Sequence, residues 1–197
     1  MSRRLSLSID VKLSWQVLGV GPNRRFKLSA VLTQKLGQNA RAIADLKRAL
    51  ELQAHSSRAW ADLGLAYFES NQLNEAIYSF GKAIRLEPKN TSWHEYLGKC
   101  YLLKKTYPTA IRELTEAIRY DSQNPNAWEN RGNTYYAMKR YDDAIKDYSQ
   151  AIKLAPHLGR MYGSRANAYE KSGKTELAAK DRKQATVAGA DWADASR

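Results

Sequence analysis

Three histidines, one cysteine and a pair of adjacent aspartates are the first residues to test for reactive chemistry in this 197-residue chain. His55, His94 and His157 lie far apart. None stands beside a carboxylate or cysteine at the spacing a metal site requires. Cys100 is a lone thiol next to Lys99, which pulls a thiol toward its anion, while a helix interior pushes the other way. Asp142-Asp143 opens a helical pattern, where negative charge suits the helix dipole. There is no glycine-rich phosphate loop and no serine elbow. No enzyme, cofactor or metal is expected. The chemistry that remains is recognition: Asn126, Asn130 and Asn133 lie two before, two after and five after Trp128. On a helix, two residues rotate by about 200°, so these amides face away from the Trp128 stripe. An amide both donates and accepts, which suits an extended peptide backbone. The alternative is that the asparagines brace neighbouring elements.

The elements that would position them show in a 34-residue step. Trp60 leads to His94, Trp128 and Tyr162. Gly64 leads to Gly98, Gly132 and Ala166, and Tyr67 to Tyr101, Tyr135 and Tyr169. Ala76 leads to Ala110, Ala144 and Ala178, and Ala83 to Ala117, Ala151 and Ala185. Phe80 leads to Leu114, Tyr148 and Arg182. Trp128, Gly132 and Tyr135 share one helix face, and Ala144, Tyr148 and Ala151 share another after a break at Lys139-Arg140. Two such stripes make a helical hairpin. Asn124-Pro125 reads as an N-cap followed by a first-turn proline. One hairpin cannot bury its stripe alone, so successive hairpins must stack.

The pattern resembles the tetratricopeptide repeat. Trp60, Leu63-Gly64, Tyr67, Ala76, Phe80, Ala83 and Pro88 fill every consensus place of the copy at 57–90. Copies follow at 91–124 and 125–158, with a looser capping copy at 159–192 and a tail at 193–197 that is expected to fray from Asp191 onward. Residues 23–56 read as a degenerate copy: Ala42, Leu46 and Ala49 are in register, but Phe26, Ser29-Ala30 and Thr33 match poorly. The run Trp-Glu-Asn-Arg-Gly-Asn-Thr-Tyr-Tyr at 128–136 is similar to bacterial and organellar members. The resemblance implies an all-α solenoid of about four to five hairpins in a right-handed superhelix. It also implies an adaptor or assembly scaffold that holds a protein partner, as extended peptide or helix, in a concave groove lined by the first helix of each hairpin. The candidate groove residues are Arg58, Leu65, Phe68, Tyr96, Lys99, Asn126, Asn130, Asn133, Arg160 and Asn167. Asp62, Leu103 and Ser164 share that face. The clamp with which some members grip chaperone C-termini is not expected, because Glu95 stands where a lysine should meet the carboxylate.

Residues 1–22 differ from the rest. Leu5, Leu7, Ile9, Val11, Leu13, Trp15 and Val17 alternate with polar residues, the period of a half-buried strand. A docking segment, a leader and a disordered tail all fit. The formal net charge of +12 is concentrated here: residues 1–56 carry +7, 57–158 carry +2 and 159–197 carry +3. An alternative reading therefore has the basic N-terminal end (Arg3, Arg4, Arg24, Arg25, Lys27, Lys35) contacting RNA or another acidic surface within a larger complex. The core positions of the tyrosines and tryptophans argue against base stacking. No apolar run is long enough to span a bilayer. A cytoplasmic location is expected, or a mitochondrial or plastid one if residues 1–22 are a leader. Nothing in the sequence demands or excludes a homo-oligomer.

Overall fold

The structure, a computed structural model, describes the backbone of residues 22–52 and 54–195 and the side chains of 37–52 and 54–189. The strand-like alternation of residues 1–21 lies outside the described residues. So do the side chains of Arg24, Arg25, Lys27 and Lys35.

Among the described residues there are nine helices and no strand. After α1 (Pro22–Leu52) come four hairpins: α2 (Ser57–Glu69) with α3 (Leu73–Leu86), α4 (Thr91–Leu103) with α5 (Tyr107–Tyr120), α6 (Pro125–Ala137) with α7 (Tyr141–Leu154), and α8 (Gly159–Lys171) with α9 (Thr175–Ala195). Their starts are 34 residues apart, as the sequence columns require. Ser56, Asn90 and Asn124 cap α2, α4 and α6, each accepting from a first-turn backbone N–H. These bonds satisfy donors that a helix start leaves open. Each hairpin turns through a residue in the left-handed region: Asn71 (φ 58°), Lys105 (59°), Lys139 (61°) and Gly173 (78°). The next residue then donates to the carbonyl of the Tyr67, Tyr101, Tyr135 or Tyr169 column, at 2.8–2.9 Å.

The core follows the small-and-large alternation of the repeat. Ala76, Ala110, Ala144, Ala83, Ala117 and Ala151 are wholly buried, with Phe80, Leu114 and Tyr148 between them. A Cβ at Gly98 would stand 2.5 Å from Leu114 Cγ, and one at Gly132 would stand 2.8 Å from the Tyr148 ring. Glycine is therefore what lets the two helices of a hairpin cross this closely.

Across successive hairpins α2 touches α4, α4 touches α6 and α6 touches α8, while the second helices make no comparable approach. The first helices thus sit at the inner radius and form a concave face.

Two expectations change. Residues 23–56, read as a degenerate hairpin, are one unbroken 31-residue helix followed by a turn. Gly37 occupies the turn column of Asn71, yet the chain stays helical there. In the sequence, Ser29-Ala30 and Thr33 stand where the good copies have Leu-Gly and Tyr. The tail is also shorter than expected. α9 continues to Ala195, so residues 191–195 prolong the last helix.

Candidate functional site

The sequence-predicted groove residues divide into two groups along the concave face. At the N-terminal end, Leu65, Phe68 and Tyr96 are partly buried against the first core cluster. Tyr96 meets Phe68 edge-on, with centroids 5.7 Å apart, and stacks on Phe80 at 5.5 Å. The Lys99 ammonium lies 4.8 Å from the Tyr96 ring and 5.5 Å from the Phe68 ring, where ring quadrupoles attract a cation. Leu103, one turn further along α4, is 55% exposed. Arg58 pairs with Asp62 at 3.0 Å on the exposed start of α2. This end combines apolar surface with a basic tip.

Toward the C-terminal end the amides are engaged within the chain. Asn130 Nδ2 donates to Glu95 Oε1 at 3.0 Å, and Asn124 Nδ2 donates to the other oxygen at 3.1 Å. Asn133 Oδ1 accepts from the Tyr148 hydroxyl at 2.7 Å. Arg160 grips Glu129 through Nε and Nη2, and Nη2 also donates to Asn126 Oδ1 at 2.6 Å. These are bonds between successive hairpins, except Asn133–Tyr148, which closes one hairpin. The asparagines therefore brace the stack. Glu95 and Glu129 set internal carboxylates against the amide and guanidinium that a ligand carboxylate would need. Asn167 is exposed on α8, and Ser164 is half-buried there.

The titratable residues have structural explanations. His94 is buried, and its Nε2 lies 2.9 Å from the Pro88 carbonyl. Trp60 and Trp128, in the same column, likewise donate to the carbonyl six residues earlier, at Ala54 and Ser122. His94 Nδ1 meets Glu113 Oε2 at 3.0 Å. Burial pushes the Cys100 thiol up to about 12, outweighing the pull of Lys99. The thiol is held as a packing residue. Among the described residues no group of three or more His, Cys, Asp or Glu could hold a metal ion.

One functional pattern escaped the sequence reading. Arg131 makes a two-pronged bond to Asp147 (2.7 and 2.9 Å) and reaches back to Thr115 in the preceding hairpin (3.2 Å). One repeat on, Arg165 does the same to Asp181 (2.7 and 2.8 Å) and Ser149 (2.9 Å). The guanidinium of Arg131 lies 4.9 Å from the Trp128 ring. That of Arg165 lies within 5.8 Å of Tyr162 and Tyr169. The same step of 34 residues would have found them, as Leu63, Leu97, Arg131, Arg165 and Ser79, Glu113, Asp147, Asp181.

Comparison with known proteins places this geometry. Models of the tetratricopeptide repeat match residues 30–83 and 125–158, and a TPR repeat model matches 64–105 and 101–139. Together they span residues 30–158. No curated protein matches the chain. Among solved structures, a crystal structure of MamA superposes with a TM-score of 0.75 at 27% identity, covering 80% of this chain and 92% of that one. A MamA RS-1 double mutant gives 0.73 at 17% identity, covering 84% and 95%. MamA MSR-1 gives 0.66 at 23% identity, covering 83% and 94%. These likenesses concern the fold. Among the described residues no helix is long and apolar enough to cross a membrane. A stack of 34-residue hairpins with a concave inner face, matched by these models, is the architecture of a protein-interaction scaffold, and the chain belongs to the tetratricopeptide repeat family.

Proposed function

We propose that the chain is an adaptor whose concave face holds a segment of a partner protein, anchored at the Leu65–Phe68–Tyr96–Lys99 end. The observation that carries this is the placement of Lys99. Its ammonium rests on two aromatic rings at the inner radius of the stack, and no ion pair holds it among the described residues. Half-buried apolar surface with a basic tip fits a partner residue pair of one large apolar and one acidic side chain. The apolar residue would cover Phe68, Leu65 and Leu103, and the carboxylate would meet Lys99. Aromatic anchors of this kind dominate interface energetics, with truncation costing about 2 kcal/mol or more. The amide rows further along contribute shape, because their hydrogen bonds are largely spent on bracing.

The test is affinity capture by the intact chain under nuclease treatment, beside Phe68→Ala and Lys99→Glu, with circular dichroism confirming that both variants stay helical. A defined protein lost from both variants supports the reading. Capture unchanged in both, or retention of nuclease-sensitive material alone, would sink it.

A further inference from the structure

The buried slot that Arg131 and Arg165 fill is empty in the first hairpin. Leu63 replaces the arginine and Ser79 replaces the aspartate, while the aromatic walls Trp60 and Tyr67 remain. Ser79, buried, turns its hydroxyl onto the Glu75 carbonyl at 2.8 Å. Both side chains are shorter than their counterparts, and a cavity of about 560 Å³ opens beside them, bordered by Leu50, Trp60, Leu63, Tyr67, Tyr78 and Ser79. Tyr78 is left 56% exposed at its mouth. In the second hairpin Glu113, bonded to His94 and Arg112, stands at the place of Ser79. The cavity lies among α1, α2 and α3, on the side away from the concave face.

We propose that residues 5–11 of this same chain seat in that cavity, placing Leu5, Leu7 and Ile9 against its apolar wall. Reach permits it. Pro22 opens α1 and Lys47 borders the cavity, a rise of about 38 Å at 1.5 Å per residue. An extended chain covers that distance with about 12 residues at 3.3 Å each, which brings residues near 9 back to Lys47 and leaves Leu7 and Leu5 beside Leu50 and Glu51. The alternation fits, because a segment with apolar residues at every second place offers one face to the cavity and Ser6 and Ser8 to water. Charge fits in the same register. Asp10 falls opposite Lys47, and Arg3 and Arg4 fall near Glu51 and Glu75, all three of which border the cavity. The segment would thus supply to the first hairpin the filling that an arginine supplies to the third and fourth.

The experiment uses the full chain with paired cysteines. Leu7→Cys/Asn74→Cys, oxidised at low protein concentration, is expected to form an intramolecular disulfide, read as a monomer of altered mobility on a non-reducing gel. Leu7→Cys/Asn167→Cys, reporting on the concave face, is expected to form none. Leu63→Arg/Ser79→Asp rebuilds the filled slot and is expected to abolish the 7–74 crosslink while the helical signal is kept. Ser79→Phe serves as a second filler if that variant loses helicity. A crosslink found only between copies, one formed to position 167, none at 74, or one that persists in the filled variants each overturns the proposal.

Discussion

His94 shows how a single residue can serve two neighbours at once. Both ring nitrogens face acceptors, Glu113 at 3.0 Å and the Pro88 carbonyl at 2.9 Å, and only the protonated ring can donate to both. Burial alone would lower its pKa, but the bonds to Glu113 and Pro88 outweigh this and raise it above 6.5. Burial alone would likewise raise that of Glu113, but His94 and Arg112 bring it below 4.5. A raised histidine contributes stability that is complete below its unfolded pKa and is lost as pH rises through the folded value. A lowered carboxylate contributes stability that is complete above its unfolded pKa and is lost as pH falls through the folded value. The pair therefore acts fully between pH 4.5 and 6.5. The melting temperature should fall from pH 6 to pH 8.5, and His94→Phe should flatten that slope. A slope unchanged in His94→Phe would assign it to other groups. Sequence alone placed His94 in an aromatic column but could not show its second partner, because Glu113 lies 19 positions away and belongs to no consensus place.

At the scale of the hairpin, the sequence was most legible where packing repeats. The Trp, Gly, Tyr and Ala columns fixed four helix pairs because each column has one steric task in every copy. It was least legible at 23–56, where Gly37 sits in the turn column but its helical neighbours lack the residues for a close crossing. The engagement of the asparagine row by Glu95, Tyr148 and Arg160 depends on long side chains that no spacing rule predicts. The turns offer a direct check of the packing argument. Lys139 adopts φ 61°, a conformation that costs a non-glycine residue about 1–2 kcal/mol. Gly173 meets the same demand in the last hairpin. Lys139→Gly should raise stability by about 0.5–1 kcal/mol after the glycine entropy cost. Gly98→Ala tests the opposite case, since its Cβ would lie 2.5 Å from Leu114 Cγ. Overpacking there should cost about 1–3 kcal/mol. Urea denaturation midpoints of the two variants should move in opposite directions, and a neutral Gly98→Ala would show that the crossing has slack.

At the scale of the whole molecule, the four hairpins share one backbone but fill the same slot differently: Leu63 and Ser79, then Leu97 with Glu113 and His94, then Arg131–Asp147, then Arg165–Asp181. The ionic versions also tie each hairpin to the one before it, through Thr115 and Ser149. Stability in a stacked array is set largely by such nearest-neighbour contacts, so the C-terminal half should be the more tightly coupled. The chemistry should also be exchangeable only as a pair. Asp147 is 5% exposed, and Asp147→Ala would leave a guanidinium buried without its carboxylate, at a cost of about 3–5 kcal/mol. Arg131→Leu/Asp147→Ser copies the first hairpin and removes both charges together. It should cost less than Asp147→Ala despite removing more atoms, because replacing a buried ion pair whole is often close to neutral. The measurement is a set of denaturation midpoints for wild type, Asp147→Ala, Arg131→Leu and the double variant, read as a double-mutant cycle. A double variant as unstable as the sum of its parts would mean that each side chain acts alone and that the slot is not a unit of the repeat. A double variant more stable than Asp147→Ala would mean that the repeat tolerates either filling, and that the open version in the first hairpin persists without loss of fold.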